Sequence, residues 1–425
     1  MNRAAGTPGQ TAIGLVVVAW FVTSVYYFYQ YMLRSAPAVM VPDMAVGFGL
    51  TPVGVASLVG LFYYAYAPFS LVAGVAMDQI GPKRVVPVGA AAVAIGAIMF
   101  SSGDPTLASI GRLLQGAGGV FALIGAVFLA TKYLPAAHAA TFIGATQMFG
   151  MAGGSAGQFL VGPAIAGGLP WDRFWLIMGG MGIPIAILLF VFIPKPAPKP
   201  AAAVGTVWWK DAGTAMKTVF VNPQSLLCGF ISGLFFIPTT IFDMVWGVRF
   251  LEEAHDLPYS MAVMRSASVP FGWIIGCPLL GWLSDRLGRR KPVIVGAGVV
   301  LAGALTLILY GPPGMFPPFT LGLIAGIASG AAMIPYTVIK EANRPEHSGT
   351  ATGVINFVNF SFSALLGPVF ANLLVRASGG GERALEDYQV TFQPLVWGVV
   401  LAVLLTLLLR ETGPAARKIE TQSQP

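Results

Sequence analysis

An all-α membrane fold, twelve spanning helices in two bundles of six, follows from three features of the sequence. Apolar segments of roughly 20 residues or more succeed one another from Thr11 to Arg410, each long enough to cross a bilayer as a helix. A proline- and lysine-rich break divides six segments from six, and a short charged motif recurs at the same place in each half. Composition agrees, because 56% of the 425 residues are hydrophobic and only 10% charged, against roughly a quarter charged in soluble domains.

Hydropathy predicts spans at 11–40, 52–77, 84–102, 106–132, 138–168, 173–194, 222–249, 259–283, 290–311, 316–340, 347–376 and 389–410. Several exceed the minimum, so tilt or protrusion is expected. The connections are too short for a separate soluble domain. The first span starts too early and runs too long, without a small-residue cleavage site, to read as a removable leader. The break IPKPAPKPAAAVG, at 193–205, favours extended and exposed backbone. The expected organisation is a bundle at 1–194, a linker at 195–221, a second bundle at 222–410 and a tail at 411–425.

Charge placement sets topology. Most of the 24 Lys and Arg fall on one side of these spans, among them Lys83, Arg84, Lys132, Lys195, Lys217, Lys291, Lys340 and Arg344. Only Arg173, Arg249, Arg376 and Arg383 fall on the other. The positive-inside bias therefore puts both termini and the even-numbered loops in the cytoplasm. It also accounts for the net charge of +7 without a nucleic-acid partner. A bacterial cytoplasmic membrane, or an organelle membrane derived from one, is the expected location. Cys228 and Cys277 lie inside spans, form no metal-type spacing and read as small apolar packing residues.

The repeat carries the first mechanistic signal. GVAMDQIGPKR at 74–84 and GWLSDRLGRRK at 281–291 both follow the second span of their half. An Asp at a helix end can accept hydrogen bonds from the amides of a neighbouring helix N-terminus, where the dipole favours negative charge. Nearby basic residues complete a cluster able to hold one conformation and break in another. The candidate latch comprises Gly74, Asp78, Gly81, Lys83 and Arg84 in the first copy, and Gly281, Asp285, Arg286, Gly288, Arg289 and Arg290 in the second. Parallel repeats place a substrate site between the bundles, near the midplane.

The second copy matches the loop signature G-x-L-x-D-R-x-G-R-R-K at every position, and on it the chain resembles the major facilitator superfamily over essentially its whole length. RLLQGAGG at 112–119 is similar to that family's R-x-x-Q-G-x-G pattern. The first copy departs from the signature at Gln79 and Pro82, so a weaker latch is expected there. GQFLVGPAIAGG at 157–168 matches an antiporter-associated motif only in part, and antiport is not inferred from it. YYFYQYMLRSAPAVM at 26–40 and KEANRPEHSGTATGVIN at 340–356 look similar to a bacterial branch that also resembles the lysosomal dipeptide carriers of animals. A narrower resemblance is to the facilitator-type proteins of magnetosome membranes, which implies iron delivery. The chemistry argues against a bare iron site, because no span collects Asp, Glu and His ligands.

Polar residues inside spans mark candidate site positions. Thr23, Tyr27, Gln30 and Arg34 recur at spacings of four, three and four along the first span. A buried unpaired Arg costs at least about 2.5 kcal/mol in hydrocarbon, so Arg34 is expected to contact an anionic substrate group or to snorkel to the interface. Tyr63 and Tyr66 in the second span, Gln147 in the fifth, and Asn356 and Asn359 in the eleventh complete the substrate-binding candidates. Asp243 is the only carboxylate placed inside a span and is the natural proton carrier, with Arg112 a partner in the same relay.

The chain carries no Walker glycine loop, no H-E-x-x-H and no cysteine cluster, so neither ATP-driven pumping nor an enzymatic role is expected. No cofactor is expected. The resulting reading is a monomeric, proton-coupled secondary transporter of a small polar, anionic organic solute. Magnetosome-type iron or iron-chelate transport is the alternative, and a transporter-fold sensor or scaffold is the alternative of another class.

Overall fold

The computed structural model describes residues 9–135, 138–195, 208–312, 314–379, 381–413 and 415. Among the described residues twelve helical passages cross the molecule. Six form the first bundle: α1 (Gly9–Ser35), α3 (Pro52–Gln79), α4 (Pro82–Phe100), α5 (Pro105–Tyr133), α6 (Ala139–Phe159) and α8 (Trp171–Phe192), with the short α2 (Val41–Phe48) and α7 (Val161–Ala166) in connections. The second bundle begins with α10 (Pro223–Ile237), which runs through a wide π-helical stretch, Pro238–Gly247, into α11 (Val248–Glu253). It continues with α12 (Tyr259–Leu287), α13 (Lys291–Tyr310) and α14 (Thr320–Ser329). A 3-10 turn joins α14 to α15 (Ile334–Glu341), and α16 (Ser348–Ala377) and α17 (Leu385–Leu408) close the bundle.

Among the described residues eleven helices are long and apolar enough to span a membrane by length and composition alone. The remaining passage, α6, is glycine-rich and buries Thr146, Gln147 and Ser155, which is why apolarity alone does not mark it. Most span ends fall within a few residues of the sequence expectation. The linker differs more. Residues 196–207 lie outside the described residues, and 208–221 form a helix, α9 (Trp208–Val221), packed on α3, α10 and α16. A helical apolar period of that length is obscured in sequence by the adjoining prolines.

Two pairs of helices join the bundles, α3 with α16 and α6 with α12. Their close approach explains the glycines that open each repeat. A Cβ at Gly74 would stand 2.6 Å from the Gly349 carbonyl oxygen, and one at Gly281 would stand 2.5 Å from that of Ala140. Gly81 and Gly288 occupy left-handed φ values of 88° and 62°, turning the chain sharply out of α3 and α12.

Gly281→Leu should therefore cost about 1–3 kcal/mol through overpacking and wedge the bundles apart. Spin labels at the exposed positions His138 and Arg286 should show a longer distance in that variant, whereas an unchanged distance would remove the close-packing account.

Candidate functional site

The face that carries the repeat is held shut by two related contacts. Asp78, at the end of α3, accepts from Gly349 N–H (2.8 Å), Thr350 N–H (2.6 Å) and the Thr350 hydroxyl (2.7 Å) at the start of α16. Asp285, at the end of α12, accepts from the Thr141 N–H and hydroxyl (both 2.9 Å) at the start of α6. Each carboxylate crosses to the other bundle and meets a helix N-terminus. Lys340 adds donations to Thr131 (2.9 Å) and the Val127 carbonyl (3.2 Å) of α5, and Lys132 donates to the Pro345 carbonyl.

The basic residues divide unequally. Arg290 is fully buried and pairs with Asp285 at 2.7 Å and with Glu341 at 2.8 Å. Burial alone would lower the basicity of Arg290, but its ion pairs with Glu341 and Asp285 raise it above its ordinary value. Arg84, Arg286 and Arg289 are exposed, with Arg286 lying over the Trp282 ring. Lys83 donates to the Phe190 and Val191 carbonyls of α8 within its own bundle. Glu341 and Glu411 are partners the sequence reading did not single out. Glu411 accepts from the N–H groups of Arg290 and Lys291, capping the start of α13.

The stripe on α1 separates by neighbour. Thr23 donates to its own helix at the Ala19 carbonyl. Tyr27 packs over Gly150 and donates to Gln147 Oε1 at 3.0 Å. Gln30 lies on Gly119 of α5. Arg34 is only 7% exposed, so it does not snorkel, and its Nε donates to the Tyr63 hydroxyl at 2.9 Å. Its guanidinium is boxed by ring faces, 4.7 Å from Tyr31, 4.6 Å from Tyr63 and 4.9 Å from Phe360. Such contacts contribute roughly 0.5–2 kcal/mol each. Phe360 belongs to α16, so Arg34 sits where the bundles meet.

The same junction holds Tyr66, 4.7 Å from Phe360, and a hydrogen-bonded chain: Asn356 donates to Ser70 (2.8 Å), Tyr336 to Asn356 (3.0 Å) and Asn359 to Tyr336 (3.3 Å). Among these candidates, buried polar atoms lack partners among the described residues: Arg34 Nη1, both amide atoms of Gln30, Gln147 Nε2 and Asn359 Oδ1. Among those residues no carboxylate pairs with Arg34. Buried groups of this kind carry a desolvation cost unless something bonds them. Tyr31, Phe62, Tyr336 and Phe360 were missed in sequence because aromatic residues read equally well as packing.

Arg112 and Asp243 do not meet. Arg112 is fully buried in the first bundle, donating to Gln115 (2.7 Å) and to the carbonyls of Val59 and Leu33. Leu33 has that carbonyl free because Pro37, four residues on, has no N–H to offer it. Asp243 lies on the π-helical stretch of the second bundle, where Ser266 donates to it at 3.0 Å. It lines a cavity of about 100 Å³ inside that bundle, with His255, Arg265 and Ser266.

Two outcomes test these assignments. Asp285→Ala breaks a buried pair and should cost about 3–5 kcal/mol in detergent unfolding, while Arg289→Ala, on an exposed residue, should stay within about 0.5 kcal/mol. Burial, then the Arg265 charge, lowers the pKa of His255 below 6.5. Its contribution to stability is therefore complete above that value and is lost as pH falls through the depressed one. His255→Gln should flatten the acid side of the stability profile, and an unchanged slope would contradict the shift.

The comparisons fit this geometry. Residues 23–368 match the model of the Major Facilitator Superfamily. The probable sulfoacetate transporter SauU of Cupriavidus necator is 22% identical over 408 residues, 91% of this chain and 93% of that protein. The membrane sensor protein UhpC of Escherichia coli is 24% identical over 391 residues, 85% of each chain. The gentisate transporter of Corynebacterium glutamicum is 24% identical across 42% of this chain and 38% of its own. In fold, the proton:xylose symporter XylE aligns with a TM-score of 0.74 at 14% identity, over 94% of this chain and 97% of its own. The Escherichia coli fucose:proton symporter FucP gives 0.72 at 12%, over 92% and 98%. Iron finds no support in these names, and among the described residues no three His, Cys, Asp or Glu side chains gather as metal ligands.

Proposed function

Because the chain belongs to the Major Facilitator Superfamily, and so to a family of transporters rather than enzymes, we propose that it moves a small organic anion by alternating access, coupled to protons. The observation that carries this reading is Arg34. A guanidinium buried between two bundles, facing rings rather than a carboxylate, leaves positive potential at the junction for an anionic group to neutralise. Tyr63 and Tyr66 stand beside it, and with Asn356 and Asn359 of the hydrogen-bonded chain and Gln147 against Tyr27 they would supply hydroxyls and amides for the rest of the solute. The names of SauU and the gentisate transporter, both for organic anions, point the same way.

Asp78 and Asp285 act as the latch, with Arg290 holding Asp285 in place. Their hydrogen bonds to α16 and α6 close the repeat-bearing face and must break for the opposite state to form. Asp243 is the proton carrier in this reading, and the proton symporters among the structural neighbours support the coupling. The repeat-bearing face and both termini lie in the cytoplasm of a bacterial inner membrane, in keeping with the positive-inside bias. A sensor role is the second reading, favoured by the likeness to UhpC.

Thermal unfolding with sulfoacetate, gentisate, xylose and fucose discriminates the substrate classes. An anion at a hundred times its dissociation constant should add about 2.7 kcal/mol to the wild type and nothing to Arg34→Ala. Stabilisation by a neutral sugar alone would overturn the anion assignment. A stabilising anion that proteoliposomes fail to accumulate under a pH gradient would favour the sensor.

A further inference from the structure

The cavity beside Asp243 lies wholly within the second bundle. Its walls come from the π-helical stretch, α11, α12, α13, α14 and the adjoining loops, and none of Tyr27, Arg34, Asn356 or Asn359 touches it. It begins at the loop after α13, where Phe316 is 37% exposed, passes His255, and ends at Asp243, 9% exposed, and the fully buried Ser329. That loop is on the face opposite the latch. Its wall is mostly apolar, and besides Asp243, His255 and Ser329 its polar groups are Arg265 and Ser266 on α12 and Thr239 on the π-helical stretch.

From these features we infer that the cavity is a hydrated path carrying protons to Asp243 from the face opposite the latch, separate from the substrate site. The inference rests on Asp243 being the proton carrier. A volume of about 100 Å³ holds several waters at the roughly 10–15 Å³ each requires. Each water also needs two to four polar partners. Ser329 Oγ, buried with no partner among the described residues, offers one at the inner end. Asp243 Oδ1 and Ser266 offer others.

The titratable and charged groups on the lining are Asp243 from the π-helical stretch, His255 from the turn after α11 and Arg265 from α12. The parts of α13 and α14 that face it contribute none, so a proton arriving on water finds one carboxylate to neutralise. The π-helical stretch, starting at Pro238, widens the backbone where that carboxylate projects, a distortion common at functional sites.

Chemical access tests the path without a transported solute. In a Cys228→Ala and Cys277→Ala background, Asp243→Cys is treated in proteoliposomes with a small cationic methanethiosulfonate and modification is followed by mass spectrometry. Modification is expected. Adding Ala325→Phe, on the cavity wall, should slow it at least tenfold while leaving the rate at Tyr27→Cys unchanged. Leu321→Trp, nearer the opening, should do the same if Ala325→Phe unfolds. An unmodified Asp243→Cys, or a rate that neither plug slows, overturns the path. Sulfoacetate uptake under a pH gradient reads the premise separately: undiminished uptake by Asp243→Asn would retire Asp243 as carrier, whatever the labelling result.

Discussion

Everything else in this structure depends on two carboxylates that cross from one bundle to the other. Asp78 and Asp285 share five hydrogen bonds from backbone amides and threonine hydroxyls at the starts of α16 and α6. Bonds to a charged acceptor contribute roughly 1.5–3 kcal/mol each. They form only if the helix axes come close, and the glycines at 74 and 281 allow that. The outcome is a closed face built from local, separable contacts rather than from a continuous apolar seam. A two-state element needs this property, since the competing state must lie within a few kcal/mol to be reached.

The two halves reach the same geometry with different reinforcement. In the second, Arg290 ties Asp285 to Glu341, and Glu411 caps the following helix. In the first, Gln79 and Pro82 replace the signature's basic residues, yet Asp78 keeps its full set of donors. Lys340 and Lys132 bridge the bundles beside it, through Thr131, Val127 and Pro345. Lysines from elsewhere in the chain thus stand at the first copy, where the signature's own charges are missing. The positions of Asp78, Asp285 and the glycines at 74 and 281 at the bundle contact were legible from sequence, because a signature fixes Asp and Gly by spacing. Glu341, Glu411 and Thr141 were not, since their role depends on which helix end arrives opposite. The spans were legible for the same reason that α6 was the weakest of them: apolarity marks a helix facing lipid, not one buried among polar neighbours.

Two buried arginines show why residue type alone does not name a site. Arg112 and Arg34 sit one helix apart in the same bundle, both flanked by Phe62. Arg112 is answered by carbonyls and an amide, including one carbonyl that Pro37 leaves free, so its N–H groups find acceptors inside the bundle. Arg34 is answered by one hydroxyl and by ring faces, which attract a cation but do not accept its remaining N–H groups. Sequence placed Arg34 as a substrate contact or a snorkelling residue, and Arg112 as a partner in the Asp243 relay. Their neighbours separate them: Arg112 lies among residues of the first bundle, whereas Arg34 lies against Phe360 of the second.

Separation also bears on coupling. Arg34 lies at the bundle junction and Asp243 within the second bundle, so in the proposed reading any exchange between solute and proton would pass through shared helices rather than through direct contact. The candidates for that transmission are visible. Thr239, four residues before Asp243 on the same wide turn, accepts from Trp273 at 2.9 Å, and the Trp273 ring lies tilted against Phe236, 4.7 Å between centroids. Phe236 in turn lies 6.1 Å from Phe360, the ring beside Arg34. A charge change at Asp243 that shifts this turn would be felt at Phe360, and an anion drawing Arg34 off that ring would be felt in reverse. Linkage requires the two effects to be equal in free energy, so this short aromatic path, rather than either site alone, is where the coupling strength would be set.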